Sequence, residues 1–139
     1  MPSLMLRLLC VSIAAVAAGC SGDINKIPTT PDPVIVTETF TGRLNVNGGA
    51  THNVFTGATG TVNATITSLG EVAPSKVGFS LGTLGSTGVC TVVLHNDTAV
   101  VSSALTGTVS TLQGSLCLRI YDVGALTAPV DYTLTVSHP

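Results

Sequence analysis

Charge is what this chain has least of: Asp, Glu, Lys and Arg make up 9% of its 139 residues, and seven acidic against five basic side chains leave a net charge of −2. With no basic cluster to neutralise a phosphate backbone, nucleic acid is excluded as a partner. Coiled coils, helical bundles and disordered solvating tails all need abundant charge, and those classes fall as well. Tryptophan is absent and aromatic residues amount to 4%. Few rings are therefore left for the exposed platforms on which sugar-binding sandwiches stack their ligands. What the chain has in quantity is Thr, Val and Gly, the composition of a small β domain.

The N-terminal uncharged run, Leu8 to Ala18, follows a single basic residue, Arg7. It is too short for the roughly 20 residues of a membrane span but fits the roughly 7 to 15 of an export-signal core. The residues after it, Ala17-Ala18-Gly19-Cys20, resemble the lipobox of bacterial lipoproteins. That resemblance implies residues 1–19 as a cleaved signal peptide and Cys20 as the lipid acceptor, with the membrane as a partner through that anchor. Several acyl chains exceed the single chain that holds a protein only marginally. Ala17 stands where Leu is usual, so ordinary signal cleavage near Ala18 is the alternative. Ser21 in place of an inner-membrane-retaining Asp points to the outer membrane of a cell that has one. Residues 20–33 read as a Pro-rich tether: Pro28, Pro31 and Pro33 favour an extended, stiff chain.

Residues 34–139 alternate short Val, Thr, Ile and Leu runs with Gly, Asn, Asp, Ser and Pro turns. Val62, Ala64 and Ile66 alternate with Thr61, Asn63, Thr65 and Thr67, the period of a strand with one buried face. Val77, Phe79 and Leu81 repeat the pattern, as do Tyr132, Leu134 and Val136. Further strands are expected over 34–40, 53–56, 89–95, 100–105 and 115–122. Turns are expected at Asn47-Gly48-Gly49, Gly57 to Gly60, Gly82 to Gly88, Asn96-Asp97, Gln113-Gly114 and Asp122 to Gly124. About eight strands at this spacing predict an all-β fold, a single antiparallel sandwich or jelly roll. The echo of Thr59-Gly60-Thr61-Val62 in Thr106-Gly107-Thr108-Val109 reads as two strands entered from similar turns.

Cys10 leaves with the signal and Cys20 is the proposed anchor, so Cys90 and Cys117 remain to form a disulfide in an oxidising compartment. Closing that loop stabilises the fold by roughly 3.5 kcal/mol in the chain-entropy model. A metal pair with His52 and His95 is the other reading, but it has neither close ligand spacing nor a CxxC element.

Taken together, Phe40-Thr41-Gly42-Arg43-Leu44, Gly48-Gly49, His52 to Phe55, Gly60 to Ile66, Cys90, Cys117 to Gly124 and Tyr132 to Val136 resemble the bacterial pre-peptidase C-terminal domain. The resemblance covers 34–139. It implies a jelly-roll sandwich that serves as a non-catalytic appendage of secreted peptidases and other envelope proteins; no peptidase precedes it in this sequence.

Chemistry is sparse. No Gly-x-Ser-x-Gly elbow surrounds any serine, and His52, His95 and His138 are the only histidines, so no nucleophile and base stand out. His138 reads as a frayed polar tail, and Glu38 and Glu71 as solvated surface. Asp97, Asp122 and Asp131 read as turn residues accepting backbone N–H bonds in preference to calcium ligands. Arg119, a charge inside the apolar run Leu116 to Tyr121, reads as a structural cation pairing with Asp122 or Asp131. Two registers compete around it. Cys117, Arg119 and Tyr121 share one face if Leu118 and Ile120 point inward, yet Cys90, Val92 and Leu94 look like the buried set of their own strand. Tyr121 is the one ring expected outside the core. The uncharged loops 57–60 and 82–88 read as mobile contact surface. The expected function is a non-catalytic, lipid-anchored binding or scaffolding module for an envelope protein or polysaccharide, with no catalytic residues, metal or cofactor. The alternative is a small secreted hydrolase.

Overall fold

The computed structural model describes residues 31–71, 74 and 76–139; the expected signal segment, Cys10, the candidate lipid acceptor Cys20 and the expected linker up to Thr30 lie outside the described residues. Eight strands form the body: β1 Val36–Leu44, β2 Gly49–Thr56, β3 Gly60–Ser68, β4 Val77–Leu84, β5 Cys90–Ala99, β6 Ala104–Val109, β7 Gly114–Tyr121 and β8 Val130–His138. They make two four-stranded sheets, ordered β1-β8-β3-β6 and β2-β7-β4-β5. Every pairing is antiparallel, and β1 with β8, β2 with β7, β3 with β6 and β4 with β5 are all direct neighbours. The chain is thus one long ribbon folded at the β4–β5 hairpin and rolled into a sandwich, the jelly-roll arrangement.

Alternation builds the core. Val62, Ala64 and Ile66 of β3, Tyr132, Leu134 and Val136 of β8, Val77, Phe79 and Leu81 of β4, and Leu116, Leu118 and Ile120 of β7 all point between the sheets and are buried. Burying each large apolar side chain contributes about 1.5–3 kcal/mol relative to leaving it in water. β4 is buried along both faces from Val77 to Gly82, because its outward residues, Gly78, Ser80 and Gly82, are themselves covered.

At Gly82 the cover is backbone. The register slips between Leu81 and Gly82, and a Cβ on Gly82 would overlap the Thr91 carbonyl. The start of β5 therefore passes over the outer side of β4, as only glycine permits. That crossing carries Cys90 to Cys117 on β7, with Cα atoms 5.8 Å apart, and the two form a disulfide although β4 lies between their strands.

Several expectations are corrected. Asn96 and Asp97 do not turn the chain: β5 runs through them to Ala99, with a register shift opposite them on β4. Asn96 Oδ1 accepts from the Thr98 backbone and hydroxyl at 2.9 Å, so its turn chemistry makes a bulge. Val100 to Ser103 is a tight turn, not a strand, tied to Ile66 by two backbone bonds. Gly107 sits inside β6, and the two echoing segments pair with each other, Thr61 opposite Thr108. Gly82 to Leu84 belong to β4, and the loops expected to be free are bonded: Gly85 to Val89, Gly88 to Gly85, and Gly57 to Pro139.

Candidate functional site

The three histidines are separated by the fold. His52 points inward from β2, where its ring stacks on Phe40 of β1 with centroids 4.8 Å apart and its Nε2 shares a 2.8 Å hydrogen bond with the Tyr132 hydroxyl of β8. Burial holds the His52 imidazole below its ordinary value and raises Tyr132 above the usual phenol range. His138 is not a frayed tail. It is buried as the last inward residue of β8, and its Nε2 lies 2.8 Å from Glu38 Oε1 on the neighbouring strand. Glu38 is thereby a partner of the fold rather than free surface. His95 stands apart from both, exposed on β5.

The aspartates are likewise occupied. Asp122 accepts four backbone N–H bonds, from Asn47 at 2.8 Å and from Gly124, Ala125 and Leu126 at 2.8–3.1 Å. The Asn47 bond, followed by those of the other three amides, holds its carboxyl below the usual range. It clamps the β1–β2 turn to the β7–β8 loop. Asp131 lies 3.5 Å from Arg43 on the exposed rim, a contact worth little in water. Asp97 accepts a hydrogen bond from the Tyr121 hydroxyl. Among the described residues no group of three His, Cys, Asp or Glu side chains is placed to hold a metal.

Arg119 is left over. It pairs with neither Asp122 nor Asp131, nor with any other carboxylate among the described residues. Both expected partners are engaged elsewhere: Asp131 by Arg43 across the β1–β8 ladder, Asp122 by backbone amides. Its register is settled, since Leu118 and Ile120 are fully buried and Arg119 and Tyr121 are half-buried on the outer face. Cys90 and Val92 are not a buried set, because β5 is an edge strand and Val92 is 41% exposed.

That outer face of the second sheet is the candidate site. One row across it reads Thr51, Arg119, Ser80, His95, from four different strands. In the next row Tyr121 lies over Gly78, where a Cβ would overlap its ring, and reaches Asp97 with its hydroxyl. Burial, then the bond to Asp97, raise the Tyr121 hydroxyl above the usual phenol range. The Arg119 guanidinium is 5.8 Å from the Tyr121 ring centre. Phe55, expected inside, is 61% exposed at the far end of β2 on the same face. Ser80 and Phe55 went unsignalled in the sequence. Strand alternation marks Ser80 as outward, but only the register with β5 and β7 places it beside His95 and Arg119.

No family model matches the chain, and no curated protein matches it. Among solved structures the body is similar to a Yersinia pseudotuberculosis-derived mitogen, with a TM-score of 0.56 over 76% of this chain and 88% of that one, at 13% identity. At that identity the likeness is one of fold alone: two proteins that share a small β-sandwich.

Proposed function

We propose that the protein is an exported, lipid-anchored envelope component whose sandwich is a non-catalytic binding or scaffolding module, with the outer face of the β2-β7-β4-β5 sheet as its contact surface. The observation that carries this reading is how the polar side chains are used. His52, His138, Glu38, Asp122 and Asp131 are bonded within the fold, while Arg119 and His95 stand on one face without ion-pair partners among the described residues. The disulfide supports an oxidising, extracytoplasmic location. The lipobox-like end of the signal supports an anchor at Cys20, and the resemblance to pre-peptidase C-terminal domains supports a non-catalytic role.

Two measurements test this. Intact-mass analysis of the membrane fraction is expected to show a mature chain beginning at an acylated Cys20; an unmodified Cys20 in the soluble fraction removes the anchor. Assays against ester, peptide and glycoside substrates are expected to show no turnover. For the alternative, a small hydrolase, the candidate pair is Ser80 with His95, its neighbour across the β4–β5 ladder. Turnover abolished by Ser80→Ala or His95→Ala would overturn the non-catalytic reading.

A further inference from the structure

The outer face holds a hydroxyl without a partner beside a cation without a carboxylate, and the geometry points to a site for an acidic sugar of a polysaccharide. This rests on the binding-module reading and names the ligand class of its contact face. Ser80 is 2% exposed, and its Oγ has no hydrogen-bond partner. Buried hydroxyls are normally bonded, and Ser80 Oγ is a buried side-chain atom among the described residues left without a partner. Its neighbours in register are Arg119 on one side and His95 on the other, and along the strand it stands between Gly78, under Tyr121, and Gly82, under Thr91. The unbonded hydroxyl thus stands in one row with Arg119 and His95, two residues along the strand from the glycine that seats Tyr121.

The charge pattern selects the ligand. A guanidinium presents a planar fork that matches a carboxylate with two parallel hydrogen bonds. One Arg with Asp97 in the adjacent row favours a singly charged group over a doubly charged phosphate. Tyr121, seated on Gly78 next to Arg119, supplies an aromatic body for the apolar C–H side of a pyranose ring. Thr51 and Asp97 are exposed in these two rows and serve the sugar hydroxyls. Arg119, opposite Ser80 in register, turns its fork to the carboxylate at this row.

The test uses the purified full-length protein in detergent and an oligogalacturonate, with its fully methyl-esterified form as the neutral control and inorganic phosphate as competitor. The oligogalacturonate is expected to bind, with affinity falling as salt rises, and the ester is expected not to bind. Arg119→Met, which keeps the apolar stem, is expected to weaken binding by about tenfold or more. Ser80→Ala is expected to weaken it by a smaller factor while leaving the unfolding transition in place. Equal binding of ester and acid, unchanged binding by Arg119→Met in a folded variant, or displacement by phosphate as readily as by free galacturonate would overturn the inference. If oligogalacturonate is not bound but isolated envelope polymer is still retained, the acidic-sugar assignment fails and the module survives; if neither is bound, the proposed function fails with it.

Discussion

The sandwich has two lateral edges, and they are closed by different means. At the β1/β2 edge the Asn45–Gly48 turn links the sheets, and His52 spans the gap between Phe40 and Tyr132. Asp122 clamps the neighbouring loop. At the β5/β6 edge the Val100–Ser103 turn links the sheets and is bonded to Ile66, but no ring bridge like that of His52 stands beside it among the described residues. A cleft of about 140 Å³ opens there between Leu81, Val93 and Leu94 on one sheet and Val62, Gly107 and Val109 on the other. Val93 is 65% exposed at its rim. Besides the β4–β5 ladder, this side has a covalent tie within its own sheet: the disulfide fixes the start of β5 to β7. One edge depends on directional contacts among rings, the other on a bond within one sheet beside Gly82 and Leu116, which line the cleft, so the two should respond to different perturbations.

Breaking the staple should have the largest effect. Replacing Cys90 and Cys117 together by Ser is expected to cost about 2–5 kcal/mol in denaturant unfolding. Hydrogen exchange should accelerate first in β5 and leave β1 and β2 the better protected edge. Uniform acceleration in both would show that the edges are not independent.

A smaller loss should follow from the ring bridge. Tyr132→Phe keeps the ring over Gly42 and removes only the hydroxyl shared with His52, for an expected cost of about 0.5–1.5 kcal/mol. The change should be confined to the β1/β2 edge, read from the exchange rates of β2 amides. At the open edge the sign should reverse. A Cβ at Gly107 would sit 3.4 Å from Leu94 Cδ1 and 3.8 Å from Leu81 Cδ2, at ordinary contact distance, so Gly107→Ala should partly fill the cleft. Together with the reduced freedom of the unfolded chain, this should stabilise the protein by about 0.4–1 kcal/mol; a loss of stability would mean that the cleft is already closed in solution.

The pH response should be smallest. His52 is held below its ordinary value of 6.5 by burial, so the unfolded chain binds the proton more readily than the folded one. This contribution to stability is complete above about pH 6.5 and is lost as pH falls from there towards the depressed folded value. His52→Gln should flatten the unfolding midpoint across that window, and an unchanged slope would place the pH dependence elsewhere.

The strands with clean alternation, β3 and β8, are legible in the sequence almost residue by residue, because one face is core and the other water. β5 is harder. As an edge strand it buries little, so Val92 and Val93 carry no burial signal, and Asn96-Asp97 imitates a turn while forming a bulge. The disulfide follows from counting cysteines, but its path over β4 follows only from Gly82. The same limit governs the candidate face. Arg119 and Tyr121 are visible as anomalies in an apolar run, whereas His138 buries its ring through a partner 100 positions away in sequence. Which groups end up paired is a property of register across strands, which local sequence does not contain.

The nested pairing of the ribbon also sets the order in which the chain can close. Leu84 meets Cys90 across a short turn, whereas Val36 must find His138 across nearly the whole body. Non-local pairings of this kind place all-β domains among the slower folders, on the order of milliseconds to seconds. Yet each doubling of a loop adds only about 0.6 kcal/mol of closure entropy. The penalty therefore falls on search time more than on final stability. The Cys90–Cys117 bond closes a loop of 27 residues inside that nest. Once oxidised, it removes that loop's freedom from the unfolded chain, so the distance left to search lies with the first and last strands.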